Sequence, residues 1–178
     1  MIMRSILLTL DAATAVLLTA GGCSSDPANG YSFKSPYRTN IQTVAVPIWA
    51  RGKDVYRREH EKRLTEAICK RIELDTPYKV TEKSRADTML EGSLDQIDQR
   101  VMSYNPDSGM PRELEITFIV SFTWTDLRTG KVILRKTRMP MAVSYIPEGA
   151  FNEDFFQGSE DVDNRLARRI VELLEIDW

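Results

Sequence analysis

Few side chains in this sequence could do covalent or metal chemistry. Two cysteines, Cys23 and Cys69, and one histidine, His60, stand in 178 residues. There is no CxxC and no second histidine, so no metal-ligand spacing exists and no metal site is expected. No Gly-x-Ser-x-Gly turn or Gly-rich phosphate loop is present; "EGSLD" and "SGMP" do not have that form. The many carboxylates form no evident acid–base pair. His60 falls on the apolar stripe of a helical pattern without a partner in reach, and reads as a partly buried edge residue. An enzyme is therefore not expected, and no cofactor is called for. What remains is the placement of Cys23 and a short cationic run, Arg135, Lys136 and Arg138, with Lys131 and Arg128 just before it.

Cys23 ends a three-part opening. Arg4 gives a basic start, "SILLTLDAATAVLL" an apolar stretch, and Ala20, Gly21 and Gly22 a small-residue end. That is the pattern of an export signal. A stable membrane span is not expected, because Asp11 would place a carboxylate in the bilayer core. Ala-Gly-Gly-Cys resembles the lipobox of bacterial lipoproteins. The resemblance implies cleavage before Cys23, a diacylglycerol thioether on its sulfur and an acylated new amino terminus. Each buried methylene adds about 0.8 kcal/mol of membrane affinity, so three chains anchor firmly. The alternative is ordinary cleavage with a chance cysteine. If Cys23 is acylated, Cys69 is left as a small, mostly buried thiol beside Ile68 and Ile72 in "LTEAICKRIE".

Residues 1–22 are thus expected to be a lipoprotein signal peptide, 23–40 a lipidated tether, and 41–178 one domain. The tether "SSDPANGYSFKSPYRTN" is rich in Ser, Pro, Asn and Gly. The remainder is long enough for a real core. A net charge of −2 gives no sign of nucleic-acid binding.

The elements that position the cations follow from periodicity. "IQTVAVPIW" is short, β-branched and apolar, a buried strand whose far end leaves the ladder at Pro47. "DVYRREHEKRLTEAICKRIEL" is a helix with Asp54 as N-cap and Tyr56, His60, Leu64, Ala67, Ile68 and Ile72 on one face. It stops at "DTP". "YKVTE" is a short strand. "ADTMLEGSLDQIDQRVMSY" is a longer one, whose phase is restored by a bulge near Asp95 and Gln96. "ELEITFIVSFTWTD" alternates strictly, with Leu114, Ile116, Phe118, Val120, Phe122 and Trp124 on the buried face. A turn around Thr129 and Gly130 leads into the strand "VILRKTRMPMAVSYI". Residues 147–158 read as a loop holding Phe151, Phe155 and Phe156, whose aromatics are either core satellites or a contact site. "SEDVDNRLARRIVELLE" is a helix with Glu160, Asp161 and Asp163 in its first turn.

The order strand–helix–strand–strand–strand–strand–helix predicts an α+β two-layer sandwich: a mixed, mostly antiparallel sheet with two helices packed on one face. The first strand–helix–strand is expected to be a parallel unit. The run at Arg135, Lys136 and Arg138 then lies on an edge strand. Two readings stand: charge that protects the edge from pairing, and a patch for an anionic group such as a lipid phosphate.

The run from Ile41 to Leu94 resembles the LPS-assembly lipoprotein E (LptE) family. The resemblance is carried by "TVAVP", by Arg-Arg-x-x-Glu and Leu-Thr-Glu-Ala-Ile in the helix, by Thr-Pro-Tyr-Lys-Val, and by Ala-Asp-x-x-Leu-x-Gly. The Thr-Pro-Tyr-Lys-Val form resembles versions from planctomycete-like bacteria. The resemblance implies an outer-membrane lipoprotein, lipid-anchored on the periplasmic side. Its partners would be an outer-membrane β-barrel LPS-assembly protein, lipopolysaccharide and the membrane that holds its lipid. On charge and position, Arg135, Lys136, Arg138 and Lys131 are the candidate anionic-lipid ligands. The rival is a periplasmic lipoprotein that activates a cell-wall synthase or builds a secretion pore.

Overall fold

In the computed structural model, residues 35–147 and 155–175 are described; Cys23 and Phe151 lie outside them. The chain runs β1 (Thr43–Ala45), β2 (Ala50–Asp54), α1 (His60–Asp75), β3 (Lys79–Val80), a 3₁₀ turn (Lys83–Arg85), β4 (Thr88–Tyr104), β5 (Pro111–Asp126), β6 (Val132–Tyr145) and α2 (Phe155–Glu172). Pro36–Trp178 forms one unit.

The sheet has the order β3-β1-β4-β5-β6, and β2 pairs with β4 beyond the end of β1. β1 is parallel to β3 and to β4, as a strand–helix–strand unit requires. β4, β5 and β6 are antiparallel. This is the α+β two-layer sandwich that the sequence predicts.

Alternation on β5 builds the core. Ile116, Phe118, Val120, Phe122 and Trp124 are buried on one face, and both helices pack there. His60 of α1 meets the Phe118 ring at 5.6 Å. A Cβ on Gly158 of α2 would lie 3.0 Å from Ile116 Cδ1 and 3.1 Å from Tyr145 Cδ1, so α2 seats closely on β5 and β6. Leu64, Ile68 and Ile72 of α1 and Val162, Leu166 and Ile170 of α2 close the core. The opposite face of the sheet is polar, with Ser93 opposite Ser121 and Thr117 opposite Asp98.

Asp87 ties β1 to the start of β4. Its Oδ2 accepts the N–H groups of Gln42 and Thr43 at 2.9 and 3.0 Å and the Thr43 hydroxyl at 3.1 Å. These bonds hold its carboxyl below the usual carboxylate range. They give a physical reason for the Asp of the Ala-Asp-x-x-Leu-x-Gly segment.

β1 ends at Ala45, short of Pro47, as expected beside a residue with no N–H for the ladder. Three local expectations are corrected. Asp54 ends β2 and is no N-cap: α1 begins at His60, after Glu59 turns the chain in the left-handed region with φ 80°. Tyr56 therefore leaves the apolar face and is 90% exposed. α2 begins at Phe155, a turn before its expected start, so Glu160, Asp161 and Asp163 lie beyond the first turn. His60 is no edge residue, being only 1% exposed. It sits between the rings of Phe118 and Phe155.

Candidate functional site: a cationic concavity on the edge strand

Among the described residues β6 pairs only with β5, and its register decides where each cation goes. Leu134 opposes Trp124 and Lys136 opposes Phe122, so even positions share the core-side register. The register then shifts, and Met139 opposes Val120, Met141 Phe118 and Val143 Ile116. Odd positions now face the core. The shift is a bulge at Thr137 and Arg138, where Arg138 takes a left-handed φ of 50°.

Hydroxyls and one carboxylate lock the bulge. The Arg138 N–H donates to Ser121 Oγ at 3.0 Å, and Ser121 donates to Asp95 Oδ2 at 2.5 Å. Ser93 donates to Asp95 Oδ1 at 2.6 Å. Asp95 is the extra residue of the β4 bulge, between Leu94 and Gln96, where the sequence places it. One side chain thus joins the irregularities of β4 and β6 across β5.

A concavity of about 360 Å³ opens here, with Glu91, Ser93, Ser121, Thr123, Arg135 and Lys136 in its wall. Arg135 stands on the polar face, in register with Thr123. Lys136 occupies a core-side register at an exposed edge, the inward-pointing charge that discourages strand addition. Arg135, Lys136, Arg138 and Lys131 form no ion pair among the described residues. The structure gathers Arg135 and Lys136 around one hollow, with Arg138 in the adjoining bulge. Lys131 lies in the β5–β6 turn and does not line it. Arg128 is withdrawn as well, bonded to the Asn40 carbonyl at 3.2 Å and paired with Asp126 at 3.5 Å. Free guanidinium and ammonium groups beside the Thr123 hydroxyl can bind an oxyanion.

A second feature escaped the sequence. Asp163, on α2, is 3% exposed, and its Oδ1 has no hydrogen-bond partner. Burial raises its pKa to about 7, against a partial opposing pull from Arg63. Its position among acidic neighbours reads as a helix start; only the packing of α2 on α1 reveals its burial. The Cys69 thiol is half-buried on α1, and burial raises its pKa. Among the described residues, no group of three or more His, Cys, Asp or Glu could hold a metal ion. No described helix is long and apolar enough to cross a membrane.

The family model described as LptE, lipopolysaccharide-assembly, matches residues 41–175, and the chain belongs to this family. It is accordingly an outer-membrane lipoprotein, lipid-anchored and facing the periplasm, and not an enzyme. Comparison with curated proteins gives no match. Among solved structures, the chain is similar to an uncharacterised lipoprotein B from Nitrosomonas europaea, at 12% identity over 82% of this chain and 90% of that one, with a TM-score of 0.57. It is also similar to a PelC dodecamer from Paraburkholderia phytofirmans, at 15% identity over 80% and 95%, with a TM-score of 0.50. A hypothetical protein from Chlamydia trachomatis is similar at 14% identity over 75% and 95%, with a TM-score of 0.50. At such identities the likeness concerns the fold.

Proposed function

We propose that this protein partners an outer-membrane β-barrel translocon and helps deliver lipopolysaccharide to the outer membrane. The observation that carries the reading is the family match across the whole two-layer domain. The cationic concavity at Arg135 and Lys136 supplies a chemistry for it. Lipid A phosphates would meet these cations, and the bulge-held Arg138 beside them, while the Thr123 hydroxyl donates to a remaining oxygen. Lys131 adds only to the field, from the turn. Residues 1–22 would be the signal peptide and Cys23 the lipidated residue. Residues 23–40 would form the tether, and 41–178 the working domain. The Thr-Pro-Tyr-Lys-Val segment resembles a planctomycete-like form of the family.

Three experiments test this. Cys23→Ser should abolish acyl labelling and release the protein from membranes; unchanged labelling sinks the lipidation. Reversing Arg135, Lys136 and Arg138 to Glu should weaken lipopolysaccharide binding in a salt-sensitive assay, and equal affinity returns those residues to edge protection. A mild-detergent pull-down from envelopes should yield a large β-barrel near one-to-one. A ring of copies or a cell-wall synthase would move the protein to the rival class.

A further inference from the structure

A groove of about 290 Å³ lies between the two helices, and no strand residue lines it. Arg63, Glu66 and Lys70 supply the α1 wall; their spacing sets them on one polar stripe beside the core stripe. Glu160, Asp163 and Asn164 supply the α2 wall by the same spacing. Charged stripes that flank a helix–helix contact commonly zip into interhelical pairs. Here, among the described residues, no ion pair joins α1 to α2.

Asp163 is the buried member of this wall. It is 3% exposed, and its Oδ1 accepts no hydrogen bond. Arg63 attracts it through space without pairing with it. The Arg63 guanidinium stands instead over the Phe156 ring, 5.7 Å from its centroid. Two charges of opposite sign thus share one hollow unpaired. A buried carboxylate without a partner destabilises a fold, and Asn would fill the same volume without that cost. Groups held unpaired in a cleft at a cost in stability are characteristic of ligand sites.

The lining selects the ligand. Asp163 calls for a hydrogen-bond donor, best an ammonium. Arg63 and Lys70 call for an anion on the α1 side. Glu66 and Glu160, both exposed at the rim, disfavour a dianion, and the two cations disfavour a polyamine. The volume is at the small end of ligand pockets, which suits a molecule the size of an amino acid.

We propose that the interhelical groove binds a small zwitterion of the amino-acid class, its ammonium on Asp163 and its carboxylate on Arg63 and Lys70. The ammonium keeps Asp163 ionised, so below about pH 7 binding releases a proton from it. Affinity should therefore rise about tenfold between pH 6 and pH 8. Arg63, Glu66 and Lys70 face Asp163 from α1, and Glu160 lies beside it on α2. His60 is turned to the Phe118 and Phe155 rings and does not line the groove.

The test uses the full chain in neutral detergent, titrated with glycine, β-alanine and γ-aminobutyrate, which differ in the separation of their charges. Ethylammonium and acetate carry one charge each and serve as controls. The heat of binding and the Asp163 carboxyl carbon resonance are followed at pH 6 and pH 8. At least one zwitterion should bind saturably, about tenfold more tightly than either control, and more tightly at the higher pH. Asp163→Asn should abolish the saturable binding while raising the urea midpoint at pH 8, which separates a lost ligand contact from a lost fold. Lys70→Gln, at an exposed position, should weaken binding several-fold. Absence of saturable binding by all three zwitterions overturns the proposal. So does a single-charge control that binds as tightly as they do, or an affinity unchanged in Asp163→Asn. No β6 residue lines the groove, so the outcome is independent of the lipopolysaccharide assay.

Discussion

Asp163 and His60 are both buried, and they pull stability in opposite directions with pH. Asp163 has a raised pKa in the fold, so the folded state holds its proton more tightly than the unfolded chain does. Its contribution is fully present below the unfolded value of about 3.9 and is lost as pH rises through about 7. The span of some three units corresponds to at most about 4 kcal/mol. The His60 pKa is lowered, first by burial and then by Arg63 and Arg57. Its contribution is present above about pH 6.5 and is lost as pH falls through the folded value. Just below pH 6.5 the two slopes partly cancel. Asp163→Asn should remove one of them, so that urea midpoints, nearly flat in the parent over that range, rise with pH in the variant. At pH 8 the variant should be the more stable. A parent and variant with parallel profiles would show that Asp163 is not the buried acid the packing makes it. Neither residue's burial is legible in sequence, where one looks like a helix-start acid and the other like an edge histidine.

At the scale of elements, two close approaches hold the irregular pieces in place. A Cβ on Gly52 of β2 would lie 2.3 Å from the Asp95 carbonyl oxygen, a backbone atom that cannot move alone. Gly52→Ala should therefore detach β2 from the β4 bulge and cost about 2 kcal/mol, seen as a lower denaturation midpoint and faster amide exchange in residues 50–54. Asp87→Ala should release β1 from β4 and cost about 2 kcal/mol, since a carboxylate that accepts two backbone N–H groups is lost. The strands β4, β5 and β6 are legible because their alternation is local: each side chain's face follows from its neighbour's. The helix starts are less so. Apolar spacing carries Tyr56 into α1 and leaves Phe155 out of α2. In the fold, His60 and Phe155, the first residues of the two helices, stand ring against ring.

For the whole molecule, the single core predicts that truncations on either helix act alike. Leu64→Ala on α1 and Ile170→Ala on α2, both fully buried, should each lower stability by about 2–5 kcal/mol in equilibrium urea unfolding. Independent unfolding of one helix in either variant would contradict one shared core. The cationic concavity and the interhelical groove divide the molecule differently, one on the β6 edge and one between α1 and α2. Only the first is marked in sequence as a short run on a strand. The second takes a wall from each helix, and it becomes a groove because α2, from the other end of the chain, packs on α1.

What the sequence by itself determined is whatever rests on short-range pattern. The export-like opening with Cys23, the two-layer class, the long antiparallel strands, the Asp95 bulge and the motif run from Ile41 to Leu94 are all local statements. The tertiary structure alone decided the parity change on β6 at Arg138, the left-handed turn at Glu59, the burial of Asp163 and His60, and the withdrawal of Arg128 from the cationic group. Each of these depends on which residue distant in sequence fills the adjoining space. A bulge or a buried charge is set by the balance between local preference and that distant contact, and only the local half is written in the neighbouring residues.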